Sequence, residues 1–162
     1  MWLYLFRHGI AWDREDPLCP PDSQRPLTAK GIQKTRAAAA GIKRIGPTFN
    51  KLWVSPYLRA QQTLEQASDA LGFQTLKTEV FDDMVPMGSV THFLKRVRST
   101  QATGIFCVGH APHFDDVVQE AICSRNGTLR IKKAGLAILK YEKERFVLHE
   151  CYTPRVLRMI GR

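Results

Sequence analysis

Gly104-Ile105-Phe106-Cys107-Val108-Gly109-His110-Ala111-Pro112 is the stretch whose reading decides the fold. Its first half is apolar at successive positions. A strand with one wet face alternates apolar and polar residues, whereas a parallel strand covered on both faces does not. Gly109 to Pro112 then turn the chain. Phe114, Val117, Val118, Ala121 and Ile122 follow at the spacing of an inward-facing helical stripe. A buried strand that turns directly into a helix is the repeating unit of α/β proteins.

The rest of the chain repeats this unit. Trp2–Phe6 reads as a buried strand. Residues 10–27 carry Pro17, Pro20, Pro21 and Pro26, and so form an ordered loop. Thr28 is placed to cap a helix that runs to about Ile45, with Ile32, Thr35, Ala39 and Ile42 inward, and Gly46-Pro47 stops it. Lys51–Val54 is a short strand. Ser55-Pro56 looks like an N-cap and first helical residue ahead of a helix with Ala60, Leu64, Ala67 and Leu71 on one face, ended by Gly72. Thr75–Phe81 is a further strand, followed by a helix with Val90, Phe93, Leu94 and Val97 inward. Leu136–Tyr141 and Arg145–Glu150 make a closing hairpin with Lys143 near its turn, and the basic tail from Pro154 is irregular or weakly helical. Strands alternating with helices give an α/β fold with a mostly parallel sheet and helices on both faces. With 162 residues and no repeat or linker, a single domain over residues 1–162 is expected.

Composition narrows the function classes. Lys and Arg outnumber Asp and Glu by 24 to 15, for a net charge of +9. Such an excess is either a solvated basic face or a sign of anionic partners. Arg125, Arg130, Lys132, Lys133, Arg155, Arg158 and Arg162 concentrate it late in the chain. They could dock an acidic phosphoprotein, but no nucleic-acid-binding motif accompanies them. Cys19, Cys107, Cys123 and Cys151 lack zinc-site spacing, and Cys107 and Cys123 sit in apolar runs where they read as small hydrophobes. Reduced cysteines in a cytoplasmic protein are expected. The apolar run at the N-terminus ends at Arg7, too soon for a signal sequence or a membrane span.

In parallel α/β sheets, ligands bind beyond the carboxyl ends of the strands. The reactive residues cluster there. Arg7-His8-Gly9 follows the first strand, Arg59 opens the helix after the second, Asp82 and Asp83 follow the third, and Gly109-His110 follows the fourth. This set suits a phosphoryl group. Arginine offers a planar fork of donors that stays charged at working pH. A neutral imidazole is a competent nucleophile. His8 would attack phosphorus in line, Arg7 and Arg59 would grip its oxygens, and His110 would stabilise the charge that spreads over them. Gly9 would let the backbone come close, and a helix beginning at Ala111 would aim N–H groups at the anion. His110-x-x-His113-x-Asp115 could be read as metal ligands. However, His113 falls on the helix, away from the pocket, and no cysteine supports the reading, so no metal is expected. His92 and His149 read as surface or sheet residues, and Asp82-Asp83 equally well as a turn pair.

Three segments together resemble the histidine phosphatase superfamily. They are Leu5-Phe6-Arg7-His8-Gly9, then Ser-Pro-Tyr-Leu-Arg-Ala-Gln-Gln-Thr over Ser55–Thr63, then Val108-Gly109-His110-Ala111-Pro112. The resemblance spans residues 3 to about 120. Within the family, the short chain and Arg25-Pro26-Leu27-Thr28-Ala29-Lys30-Gly31 resemble the SixA type of phosphohistidine phosphatase. The resemblance implies a phosphoglycerate-mutase-like three-layer α/β/α sandwich and His8 as the phosphorylated nucleophile. Arg7, Arg59 and His110 would complete the phosphate pocket, with no metal or organic cofactor. It implies a phosphohistidine-bearing phosphotransfer protein, or a small phosphorylated molecule, as substrate. Many members carry a glutamate as proton donor after the third strand, where this chain has Asp83. Asp is shorter, but imidazole leaves phosphorus more readily than an alkoxide does, so a strong acid is less necessary for P–N cleavage. Residues that build a lid in larger members are missing, and an open pocket suits a protein substrate. The alternatives are a phosphatase of small esters or phosphopeptides, and a non-catalytic basic domain that binds phosphorylated partners.

Overall fold

β4 (Gly104–Gly109) is buried at every residue and runs parallel to both of its neighbours, β1 (Trp2–Arg7) and β2 (Lys51–Val54). The computed structural model describes residues 1–124, 127 and 129–162. β3 (Thr78–Val80) extends the parallel part beyond β2. On the other side, β5 (Leu136–Glu142) and β6 (Arg145–Tyr152) join antiparallel, giving the six-stranded order β3-β2-β4-β1-β5-β6. Five helices complete the layers: α1 (Ala29–Ile45), α2 (Leu58–Leu71), α3 (Val90–Ser99), α4 (His113–Ala121) and α5 (Pro154–Ile160).

Because side chains alternate across a strand, each central strand feeds two cores. Leu3, Leu5, Trp53, Ile105 and Cys107 pack with Phe93 and Val97 of α3 and with Phe114 and Val117 of α4. Tyr4, Phe6, Leu52, Val54, Phe106 and Val108 pack with Ile42 of α1, Leu64 of α2 and Leu157 of α5. The result is a three-layer α/β/α sandwich whose central strands end on one common rim.

The local signals explain most element boundaries. Thr28 Oγ1 accepts the Gly31 amide at 3.0 Å and caps α1, and Gly46 ends that helix in the left-handed region. Ser89 caps α3 through the His92 amide. Several boundaries differ from the sequence reading. Ser55 does not cap α2; Tyr57 occupies that position without a side-chain bond, and the helix begins at Leu58. α4 begins at His113, so Ala111 lies ahead of it, and Ile122 is the half-buried residue just past its end. The third strand shrinks to Thr78–Val80 because it lies at the sheet edge, with a partner on one side only. Cys123 is exposed and has a left-handed backbone, so it is not a core residue. The basic tail is an ordered helix, capped by Thr153 through Val156. Arg125 lies outside the described residues.

α5 beside Gly41, and the Ile10 backbone beside Gly31, explain why the stripe of α1 is shifted towards small residues. Gly31, Ala38 and Gly41 are buried, while Ile32 is only half-buried. A Cβ on Gly41 would sit 1.9 Å from the Leu157 carbonyl oxygen, which is backbone and cannot swing away. In a free helix, Gly→Ala gains about 1 kcal/mol. Here the clash outweighs that gain, and Gly41→Ala is expected to destabilise the protein by about 1–3 kcal/mol. Urea unfolding would measure it, and an equal or higher stability would show that α5 is not seated as described.

Candidate active site

The in-register pairing of β1 with β4 sets Arg7 opposite Gly109, so the next residues leave the sheet side by side. The His8 amide donates to the Gly109 carbonyl at 2.9 Å, and the His8 and His110 rings lie 5.0 Å apart between centroids. His8 is 5 % exposed and His110 is fully buried.

His8 Nδ1 lies 2.7 Å from the Gly9 carbonyl oxygen. A carbonyl only accepts, so Nδ1 carries the proton and donates, which leaves the lone pair on Nε2. Burial, followed by the positive charge of Arg59, holds the His8 pKa down at about 3. The ring is therefore neutral at any ordinary pH, with a bare Nε2. Gly9 contributes through its backbone: its carbonyl fixes the His8 tautomer, and its amide donates to Thr63 Oγ1 at 3.0 Å. A Cβ at Gly9 would lie 2.3 Å from Thr35 Oγ1, so the close approach of this segment to α1 requires glycine.

Arg59 stands at the start of α2 and is 1 % exposed. Its Nε reaches towards His8 Nε2 at 3.4 Å. Its outer edge is held by Asp22 of the 10–27 loop, through the backbone carbonyl and through Oδ2 at 3.1 Å. Burial pushes the Asp22 carboxyl up, but Arg59, Arg25 and Arg14 together hold it below the usual carboxylate range. Asp22 thus locks the guanidinium with its Nε edge towards His8, and Thr63 fixes the backbone that carries it. Thr63 Oγ1 does so by donating to the Arg59 carbonyl at 2.6 Å while accepting from Gly9.

Arg7 donates to the Ile131 carbonyl at 2.7 Å, and the Ile131 amide donates to Asp115 Oδ1 at 2.7 Å. Asp115 on α4 therefore anchors the segment that holds Arg7. His110 Nε2 lies 2.8 Å from Ser55 Oγ, at the end of β2. Ser55 Oγ also accepts the Tyr57 amide at 3.4 Å, so its own proton is available for His110 Nε2. Burial first, then the neighbouring His8 and Arg59, drives the His110 pKa down to about 2.

Arg7, His8, Arg59, Ala111 and Lys133 line one cavity of about 600 Å³. Arg14, Arg25 and Ala111 also line an adjoining cavity of about 620 Å³ that reaches Tyr57, Pro86 and the exposed Met87. The fully buried His110 lines neither cavity, and neither does Asp83. The Asp83 carboxylate instead meets Arg96 of α3, whose Nε and terminal nitrogen lie 3.2 and 3.0 Å from Oδ2. His113 is buried against Phe93, and burial lowers its pKa to about 4. No group of three His, Cys, Asp or Glu among the described residues could hold a metal ion. Ser55, Thr63, Asp22 and Lys133 were not legible as site residues. Ser55 carries the same Ser-Pro signal as a helix cap, and Asp22 is one acid in a proline-rich loop. Thr63 closes the Ser55–Thr63 segment and Lys133 belongs to the late basic group, but neither pattern gives them a place beside His8.

Comparison with known proteins identifies the family and the fold. The sequence model of the histidine phosphatase superfamily (branch 1) matches residues 3–86. A protein from a Picosynechococcus strain is 36 % identical over 154 residues, 92 % of this chain and 90 % of that one. Phosphohistidine phosphatase SixA of Escherichia coli is 31 % identical over 124 residues, covering 74 % of this chain and 73 % of its own. The solved structure of the protein histidine phosphatase SixA complexed with tungstate superposes with a TM-score of 0.84 at 25 % identity, covering 97 % of this chain and 99 % of that one. Phosphoglycerate mutase from Bacillus anthracis shares the fold, with a TM-score of 0.74 at 13 % identity over 99 % of this chain and 96 % of its own. The protein is thus a member of the histidine phosphatase superfamily, with a phosphoglycerate-mutase-like fold and similarity to the SixA type.

Proposed function

We propose that the protein hydrolyses phosphohistidine on a protein substrate through a covalent phosphohistidine on His8. The observation that carries this reading is His8 itself: a buried, neutral ring with its Nδ1 proton given to the Gly9 carbonyl and its Nε2 facing Arg59. In the first step, His8 Nε2 forms a bond to phosphorus as the P–N bond of the substrate breaks. The departing imidazole takes a proton on its other nitrogen and leaves neutral. Arg7 and Arg59 hold the non-bridging oxygens, and His110 stabilises their developing charge. Water then attacks the phosphorylated His8, releasing inorganic phosphate and the free ring. The similarity to phosphohistidine phosphatase SixA and the room beside the phosphate pocket, out to Met87, both support a phosphoryl group carried on a polypeptide. Four unpaired cysteines suit a cytoplasmic setting, and no helix among the described residues is long and apolar enough to cross a membrane.

Hydrolysis of a phosphohistidine peptide and of a phosphoserine peptide, by wild type and His8→Ala, tests the proposal. Wild type should prefer phosphohistidine, and His8→Ala should lose essentially all turnover. Full activity in His8→Ala would rule out the covalent route, and preference for phosphoserine or a small ester would reassign the substrate.

Asp83 is engaged by Arg96 and lines neither cavity, so this mechanism does not route a proton through it. Asp83→Ala should reduce phosphohistidine turnover less than about tenfold, below the 10²–10⁴ expected for loss of a general acid. A loss of about a hundredfold or more in kcat, with folding intact, would make Asp83 the acid.

The neutral histidines also set the acid stability. His8, His110 and His113 have pKa values of about 3, 2 and 4 in the folded protein, below the unfolded value near 6.5. Below about pH 6.5 the unfolded chain binds protons that the native state refuses. Stability is therefore full above that pH and falls as the medium is acidified. Each histidine adds a slope approaching about 1.4 kcal/mol per pH unit. Urea titrations at several pH values between 7.5 and 5 should show this, with a shallower slope in His113→Phe. A stability that rises on acidification would mean that these rings are charged in the fold.

A further inference from the structure

On the side of the phosphate pocket away from Asp22, a separate cavity of about 500 Å³ is lined by Lys34 of α1, Arg158 of α5, Lys132 and Lys133, and by Arg7, with no acidic residue in its wall. Four chain segments distant in sequence bring these cations together, and the seating of α5 on α1 fixes two of them. Lys34 and Arg158 are half-buried, Lys132 and Lys133 are exposed, and none of these four is in an ion pair among the described residues. Arg7 and Lys133 line both this cavity and the phosphate pocket, so the two adjoin.

The charge around His8 is lopsided. On one side, Arg14, Arg25 and Arg59 share the carboxylate of Asp22. On the other side, the cations crowd one another with no carboxylate in the cavity wall. Burial lowers the pKa of Lys133, and the like charges of Arg7 and Arg25 lower it further, against a smaller opposing pull from Asp13. A phosphoryl group answers Arg7 and Arg59 but leaves Lys34, Lys132 and Arg158 without a counter-charge. We propose that this cavity is a subsite for acidic side chains that flank the phosphorylated residue of the protein substrate. The inference rests on the phosphohistidine reading above and specifies which proteins satisfy it: those with Asp or Glu close to the phosphorylated histidine in space. Charge complementarity of this kind chiefly selects partners and speeds encounter.

The test uses two phosphohistidine peptides, one with Asp and Glu flanks and one with Asn and Gln in their place, alongside an aryl phosphate. Wild type should favour the acidic peptide by about tenfold in kcat/KM, mainly through KM, with the preference shrinking in high salt. In Lys34→Ala/Arg158→Ala the preference should fall below about threefold while aryl phosphate turnover is unchanged. Lys34→Glu should shift preference towards a peptide with basic flanks. Equal use of both peptides by wild type, or an undiminished preference in the double variant, overturns the subsite alone. Turnover of the aryl phosphate with neither peptide cleaved overturns the phosphohistidine reading and the subsite with it. Tight binding of a duplex oligonucleotide at about 0.15 M salt, lost in the double variant, assigns the face to nucleic acid and overturns the subsite.

Discussion

The parallel, in-register pairing of β1 with β4 is the constraint on which the site depends. Two neighbouring strands that run the same way and end at the same level deliver their next residues to the same place. Here those residues are His8 and His110, brought to 5.0 Å between ring centroids. The contact is held by backbone: the His8 amide on the Gly109 carbonyl at one point, the Ser55 amide on the Val108 carbonyl at the next. Neither histidine has to be recruited by a mobile loop. The α/β sandwich, with apolar layers on both faces, keeps these strand ends in place and both rings buried. Burial in turn makes both rings neutral, because a buried imidazolium beside a buried guanidinium would be unstable.

A buried guanidinium needs compensation, and the 10–27 loop supplies it. Arg59 is 1 % exposed and would be costly there without Asp22, which accepts from its outer edge. Asp22 is itself held by Arg25 and Arg14 from its own loop. The irregular loop is thus a structural part of the candidate phosphate pocket. Its prolines limit the conformations from which Asp22 must be ordered. Asp115 plays a parallel part for Arg7 through the Ile131 peptide, so each candidate phosphate-gripping arginine has an acid one step behind it.

Much of this was legible in the sequence, and what was not has a physical cause. The strands 2–6, 51–54 and 104–108 and the helices between them followed from apolar spacing and from strong stop signals such as Gly46 and Gly72. His8, Arg59 and His110 could be grouped because the parallel topology sends successive strand ends to one rim. Asp83 also stands at a strand end, but β3 is the edge strand, and its following turn faces α3, where Arg96 competes for the carboxylate. Position at a strand end is therefore informative for central strands and weak for an edge strand. Ser55 was misread for a related reason. Ser-Pro is a helix-start signal, but the tight exit from β2 puts that hydroxyl against His110 before the helix begins. Cys123 looked apolar in context, yet it lies past the end of α4, where the stripe has stopped.

Neutral histidines and unbalanced cations together suggest how a phosphoryl ligand is taken up under the proposed function. Before binding, the pocket holds Arg7, Arg59 and Lys133 against Asp22 at its outer edge, and both rings are kept neutral by burial and by that positive field. A phosphoryl group brings negative charge to the point where the field is most positive. The part of the His110 pKa lowering that comes from Arg59 is thereby offset at the same site, since an anion favours the charged ring where a cation disfavours it, while burial continues to act. His110 then gains proton affinity when a phosphoryl group arrives. His8 is insulated from this change because its Nδ1 proton is committed to the Gly9 carbonyl and its Nε2 is the atom that bonds to phosphorus. Under that proposal, two like residues placed side by side by one strand pairing are separated into nucleophile and charge stabiliser by which nitrogen each has free.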